Sequence, residues 1–246
     1  MKHLLARTTA VAVLSIASIY PASVTALDVK LTDYLAYVEV EHEGEPVRVQ
    51  RIQNQDNTLT DGFAKTSRKC PPFCIQPMQV APGVETVGEA EIFRFMDREM
   101  SRGEGLLVDA RTPSWYKKGT IPGSVNIPFT VFEKGVNEPE LVEALEQLGG
   151  SLRGDVGSMT RGFESVMGLF GGSDKTDQWD FSDAMDVVFW CNGPWCGQSP
   201  RAINALLAHG YPAEKIHYYR GGMQMWRILG LTVVVPEAGE KSVAMK

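Results

Sequence analysis

Four cysteines carry most of the chemistry available to this chain, and Cys191 is the best placed of them. It stands in Asp186-Val187-Val188-Phe189-Trp190-Cys191-Asn192-Gly193-Pro194-Trp195-Cys196-Gly197-Gln198-Ser199-Pro200-Arg201. The run Val187 to Trp190 is short, β-branched and aromatic, the pattern of a buried parallel strand. Ser199 followed by Pro200 reads as a helix N-cap and a first-turn proline. The predicted helix carries Ala202, Ile203, Leu206 and Leu207 on one face and stops at Gly210. Cys191 thus falls where loop amides and the positive end of a helix converge, and both favour an anion. A free cysteine titrates near pH ~8.5, helix N-termini lower that value, and the thiolate is the reactive form. The competing reading is a buried structural thiol, since free cysteine is among the most buried residue types.

The second pair lies in Cys70-Pro71-Pro72-Phe73-Cys74. The prolines restrict the turn and hold the two thiols close. Three uses are open: a small structural disulfide, a redox pair or sulfur relay facing Cys191, and a metal site. Two cysteines supply only half of a tetrahedral set, and His42, His209 and His217 are scattered as surface or hydrogen-bonded residues. The expectation is no metal and no organic cofactor. Four cysteines allow three complete pairings, and the sequence does not choose among them.

Two further stretches accompany the Cys191 loop. The first is Leu106-Leu107-Val108-Asp109-Ala110-Arg111, followed by Tyr116, Gly119 and Ile121-Pro122-Gly123-Ser124-Val125-Asn126-Ile127-Pro128; the second is Tyr219-Arg220-Gly221-Gly222-Met223-Gln224-Met225-Trp226. With the Cys191 loop they make three ordered motifs, which together resemble the rhodanese (sulfurtransferase) family over roughly residues 86–236. The resemblance implies an α/β fold with a central parallel sheet flanked by helices. It also implies that Cys191 accepts a sulfane sulfur as a persulfide and passes it on. The loop Asn192, Gly193, Pro194, Trp195, Cys196 and Gly197 would then bind substrate, with its amides cradling the persulfide. Asp109 and Arg111 leave a strand at its C-terminal end, the side where open α/β sheets place ligands. They are read either as a brace for the catalytic loop or as a surface salt bridge without a role.

The sequence departs from the family pattern at two places. Thr120 stands where a histidine is usual. The Cys-Asn-Gly-Pro-Trp-Cys loop is longer than in the simplest single-domain members and is similar to that of one bacterial subgroup. The fold is shared with dual-specificity phosphatases, whose loop reads Cys-x5-Arg. Here the matching position is Gly197, and the nearest arginine is Arg201, inside the predicted helix. Phosphoryl transfer needs a bidentate cation at the transferred group, so the loop argues against phosphatase chemistry.

Lys2, His3 and Arg7 begin the chain, Thr8 to Tyr20 is apolar with small residues, and Val24-Thr25-Ala26 precedes Leu27. This is the pattern of a cleavable export signal over residues 1–26, too short in its apolar part for a membrane span. Its bacterial style points to the periplasm, where disulfides persist. Cleavage removes two of the 24 basic residues and none of the 30 acidic ones, leaving a net charge of −8. So acidic a protein, without basic runs, is a poor partner for nucleic acid or anionic membranes.

Residues 27–85 read as an N-terminal extension. Tyr37 to Glu41 and Val47 to Ile52 alternate with period two around a turn at His42 to Pro46, which predicts a β-hairpin. The sulfurtransferase-like domain follows over 86–236, and 237–246 is a tail. Thr86-Val87-Gly88-Glu89 matches a capping box for a helix burying Ile92, Phe95, Met96 and Met100. A helix is expected over Asn137 to Leu148, a strand over Ile216 to Tyr219, and a short helix over Gly222 to Leu229. Trp190 and Trp226 read as core. An insertion at about 150–180 places Met159, Phe163, Val166, Met167 and Phe170 near helical spacing, either as a packed helix or as a lid or docking surface. That insertion and the N-terminal extension are the two places where a protein partner could bind.

The reading that follows is an exported sulfurtransferase using a thiosulfate or persulfide donor and a thiol or cyanide acceptor. Two alternatives stay open. One is a thiol–disulfide redox protein using Cys191/Cys196 and Cys70/Cys74. The other is a non-catalytic binding module on the same fold.

Overall fold

The computed structural model describes residues 28–154 and 175–236. The export signal expected over 1–26, the helix expected around Met159 to Phe170 and the tail 237–246 lie outside the described residues.

Nine strands and six helices are described. The strands are β1 (Tyr37–His42), β2 (Glu45–Gln50), β3 (Glu85–Thr86), β4 (Gly105–Asp109), β5 (Ser124–Asn126), β6 (Ser151–Leu152), β7 (Trp179–Asp180), β8 (Asp186–Trp190) and β9 (Ile216–Tyr219). The helices are α1 (Glu89–Arg98), α2 (Pro113–Tyr116), α3 (Phe129–Phe132), α4 (Pro139–Gln147), α5 (Gln198–Ala208) and α6 (Gly222–Ile228). Five strands form one parallel sheet in the order β3-β9-β8-β4-β5. β8 is central, paired to β4 with Asp109 beside Trp190 and to β9 with Trp190 beside Tyr219.

A central parallel strand must bury both faces, and β8 does so by alternation. Val187 and Phe189 join one apolar cluster with Phe132 of α3, Leu141 and Leu145 of α4, and Ile203 and Leu206 of α5. Val188 and Trp190 join the other with Ile92, Phe95 and Met96 of α1 and Trp226 of α6. Trp190 and Trp226 are therefore core, as expected, and each indole finds an acceptor, Ser124 Oγ at 3.1 Å and the Thr232 carbonyl at 2.7 Å. Among the described residues no helix is long and apolar enough to cross a membrane.

The N-terminal hairpin is present and is built into the second cluster. Val38, Val40 and Val49 face inward while Glu39 and Glu41 face water. A lone two-stranded ribbon is marginal in water, so this buried valine face against α1 is what keeps it folded. The turn is tighter than the five residues read from the sequence. His42 pairs with Glu45, leaving Glu43 and Gly44 with φ of 54° and 84°, the primed geometry that matches strand twist. The chain's last described segment closes on the same hairpin. Ile52 N–H donates to the Gly230 carbonyl at 2.7 Å and Thr232 N–H to the Gln50 carbonyl at 3.0 Å.

Two helix starts differ from expectation. The capping box over Thr86 to Glu89 is displaced by two residues. Thr86 is held in β3 opposite Tyr218, and Val87 N–H still donates to the Tyr218 carbonyl at 3.0 Å. The helix begins only after Gly88, whose N–H donates to Glu91 Oε2 at 3.1 Å. Phe93 joins the buried face, and Met100 falls in the 3-10 turn beyond α1, half-buried. In α5 the N-cap is Gly197, not Ser199, and the first helical bond runs from Arg201 N–H to the Gly197 carbonyl at 3.1 Å. Pro200 precedes that bond, so its missing N–H costs the helix nothing.

Candidate active site

Cys191 leaves the C-terminal end of β8 and is 2% exposed. As a thiol it donates to the Cys196 carbonyl at 3.2 Å, and it accepts from the Ser199 hydroxyl at 3.0 Å. Burial alone would push this thiol up. Hydrogen bonds from the Cys196 thiol, from the Ser199 hydroxyl and N–H, and from the Gly193 N–H outweigh burial and bring Cys191 down to about 7. Cys196 moves the other way. Its hydrogen bond to Cys191, its burial and the nearby Cys191 charge all push its thiol up. The two thiols thus shift in opposite directions: the thiolate is favoured at Cys191, while Cys196 holds its proton and donates it to Gln198 Oε1 at 3.6 Å.

Ser199 is the residue the sequence misassigned. Its place in the first turn of α5, rather than at the cap, turns the hydroxyl inward onto sulfur. The cradle also differs from the run of amides expected over Asn192 to Gly197. Pro194 has no N–H, and the Cys196 N–H closes a turn onto the Gly193 carbonyl at 2.9 Å. The amides that face Cys191 are those of Gly193 and Ser199. Those of Asn192 and Gln198 face Cys196.

The outer side of the loop is fixed by the Gly221-Gly222 turn. Met223 N–H donates to the Cys191 carbonyl at 3.0 Å and Gln224 N–H to the Asn192 carbonyl at 2.9 Å. Gly222 has φ of 52°, and a Cβ there would stand 2.2 Å from the Cys191 carbonyl oxygen. Only glycine permits this approach.

Beneath the loop, Asp109 and Arg111 are a fully buried pair, not a surface salt bridge. Asp109 Oδ1 accepts from Arg111 Nε at 2.8 Å and Oδ2 from the other arm of the guanidinium at 2.6 Å. Thr120, at the position where the family has histidine, donates its hydroxyl to Asp109 Oδ2 at 3.0 Å. Arg111 spends its remaining donors on the Gly119 carbonyl at 2.7 Å and on Asn192 Oδ1 at 3.3 Å, the contact by which the pair supports the loop. Neither side chain touches Cys191 among the hydrogen bonds described.

Above the loop lies the segment that contains Cys70 and Cys74. These two are joined in a disulfide with Cα atoms 4.6 Å apart. The closed turn docks on the loop through Trp195. Phe73 meets the indole edge-on at 5.5 Å, and the Arg68 guanidinium stacks 3.8 Å from its centre. Gln76 N–H donates to the Pro194 carbonyl at 2.8 Å, and Arg220 donates twice to the Gln76 carbonyl, at 3.1 and 2.9 Å. Nothing in the sequence pattern paired these residues, because the contacts join segments more than 100 residues apart. A cleft of about 450 Å³ lies elsewhere, between α1 and the start of β8, lined by Glu85, Glu91, Phe95, Asp186 and His217. Its lining contains no cysteine or serine, and the Cys191 loop lies at the other end of β8.

The rhodanese-like domain model matches residues 95–229, more than half of the 246. The chain belongs to the rhodanese-like domain family. A curated relative, an HTH-type transcriptional regulator of Mycobacterium tuberculosis, is 26% identical over 136 residues; these span 55% of this chain and 40% of the relative, less than half its length. Among solved structures, a thiosulfate sulfurtransferase from Pseudomonas aeruginosa is 18% identical with a TM-score of 0.34, over 63% of this chain and 21% of that one. A human single-domain sulfurtransferase is 17% identical with a TM-score of 0.34, over 59% of this chain and 96% of that one.

Within this rhodanese-like domain Arg201 is turned onto the end of α3 rather than the Cys191 loop. It forks onto Glu133, with Nε to Oε1 at 2.7 Å and the terminal nitrogen to Oε2 at 2.8 Å. The residues that cover Trp195, Arg68 to Gln76, precede the matched region.

Proposed function

We propose that this protein is a sulfurtransferase that carries sulfane sulfur on Cys191. One observation carries the reading: a buried thiol is held near pKa 7 by hydrogen-bond donors that converge on its sulfur. With thiosulfate as donor, the Cys191 thiolate attacks the outer sulfur. The new S–S bond forms as the donor's S–S bond breaks, and sulfite leaves with the bonding pair. The persulfide anion inherits the negative charge, so the same N–H and O–H donors stabilise it. A thiolate or cyanide then attacks the outer sulfur and returns Cys191 as thiolate.

The Ser199 hydroxyl and the Gly193 and Ser199 amides serve as charge-stabilising donors, with Trp195 at the mouth. Asp109 and Arg111 position the loop. Export by cleavage before Leu27 fits the disulfide between Cys70 and Cys74, and N-terminal sequencing of the mature protein checks it.

A redox reading is favoured by one observation: Cys191 and Cys196 are both free and buried, five residues apart in one loop. Intact-mass analysis of protein with Cys191 and Cys196 reduced separates the two. After incubation with thiosulfate, the wild type gains one sulfur atom, released by a thiol, and Cys191→Ser gains none. Failure of the wild type to gain sulfur, with loss of two hydrogens on mild oxidation, would replace sulfur transfer by disulfide exchange.

A further inference from the structure

The site contains a buried hydroxyl that the chemistry above does not use. Tyr218 lies on β9 beside Phe189 of β8, two residues before Cys191, and is fully buried. Its ring packs in the cluster with Val187, Phe189 and Ile203. Among the described residues its hydroxyl has no hydrogen-bond partner. Native folds pair nearly all buried polar atoms, because a stranded donor is costly. A phenylalanine would fill the same space without that cost. Side chains along β8 alternate between the two apolar clusters, so Cys191, two residues beyond Phe189, leaves on the side of the sheet that carries the Tyr218 ring. After burial, Cys191 and Cys196 push its pKa up, and Arg220 opposes them. The phenol therefore keeps its proton at neutral pH and can only serve as a donor toward an anion.

The resting Cys191 sulfur is not that anion, since no bond joins the two. A persulfide extends the side chain by one S–S bond of about 2 Å and moves the negative charge onto its outer atom. We infer that the Tyr218 hydroxyl is the donor for the outer sulfur of the Cys191 persulfide, idle in the free enzyme and engaged once sulfur is loaded. This rests on the sulfurtransferase reading. It makes Tyr218 a residue that discriminates the loaded state from the free thiol, the property that holds sulfur long enough to meet an acceptor.

Tyr218→Phe tests the assignment, because it removes only the oxygen. Wild type and variant are loaded with thiosulfate, freed of excess donor, and followed by intact mass in a fixed low concentration of cyanide, which takes the outer sulfur as thiocyanate and returns Cys191 as thiolate. The variant is expected to lose sulfur about tenfold faster, the scale of one hydrogen bond to a charged group. Its Tm is expected to equal or exceed that of the wild type, because a stranded donor has been removed. Equal retention in the two proteins would overturn the role of Tyr218 and leave Cys191 as sulfur carrier. A marked fall in Tm would make the hydroxyl structural and would also overturn it. If the wild type itself gains no sulfur, both the carrier reading and this assignment fall.

Discussion

Two loops in this protein each carry two cysteines at close spacing, and they have opposite fates. Cys70 and Cys74 sit at the surface or half-buried in a proline-bound turn and are joined. Cys191 and Cys196 are buried, five residues apart, and free. Spacing does not separate the pairs. The environment does: around Cys191 the backbone and Ser199 offer donors to sulfur, so its charge is stabilised without a covalent partner. Around Cys70 and Cys74 the ordered contacts go to the neighbours instead, with Phe73 and Arg68 on Trp195 and Gln76 on Pro194. One pair is arranged for chemistry and the other for shape.

The largest way to break this contrast is to remove the floor under the reactive loop. Arg111→Ala strands the Asp109 carboxylate in the core, and loss of one partner of a buried pair costs about 3–5 kcal/mol. Urea unfolding should show that loss, along with reduced sulfur loading as Asn192 loses its donor. A change below about 1 kcal/mol, the range of an exposed pair, would contradict the buried network. The next effect falls on the other loop. Replacing both Cys70 and Cys74 by serine opens a very short covalent ring, which the chain-entropy account puts at about 2 kcal/mol. Denaturant midpoints should fall accordingly while Cys191 still loads sulfur from thiosulfate. Abolished loading would mean that the surface disulfide takes part in the reaction.

The smallest effect sharpens the contrast most directly. Ser199→Ala removes one donor to the Cys191 thiolate, so the anion is disfavoured and its pKa rises from about 7. One unit corresponds to 1.36 kcal/mol. The midpoint of iodoacetamide alkylation against pH should move upward by about one unit, with the rate at neutral pH falling. An unmoved midpoint would remove Ser199 from the site.

The central strand, the position of Cys191 and the helix after it were legible because a dense apolar run leaves few options. Asp109 and Arg111 were legible as residues at a strand end, but not as buried. Burial depended on Thr120 and Gly119 folding back over them. Ser199 was misread because Ser-Pro is an ordinary helix start. Only the inward pull of sulfur distinguishes the first turn from the cap. Tyr218 gave no signal, since an inward tyrosine on a central sheet strand looks like any other core aromatic. The docking of Arg68, Phe73 and Gln76 on the catalytic loop was illegible for a different reason. It depends on side chains meeting across long separations, which no local pattern encodes.

The bonds between Gln50 and Thr232 join positions 182 residues apart. Such long-range closure comes late in folding, because its entropic cost precedes its reward. A chain emerging N-terminus first cannot make them until Thr232 has been added. Closure over the β1-β2 hairpin therefore waits for the segment around Thr232. The turn that fixes the Cys191 carbonyl lies just before Thr232, so the reactive thiol is framed only when the chain through Gln224 is present. A truncated product would carry the cysteine without the means to activate it.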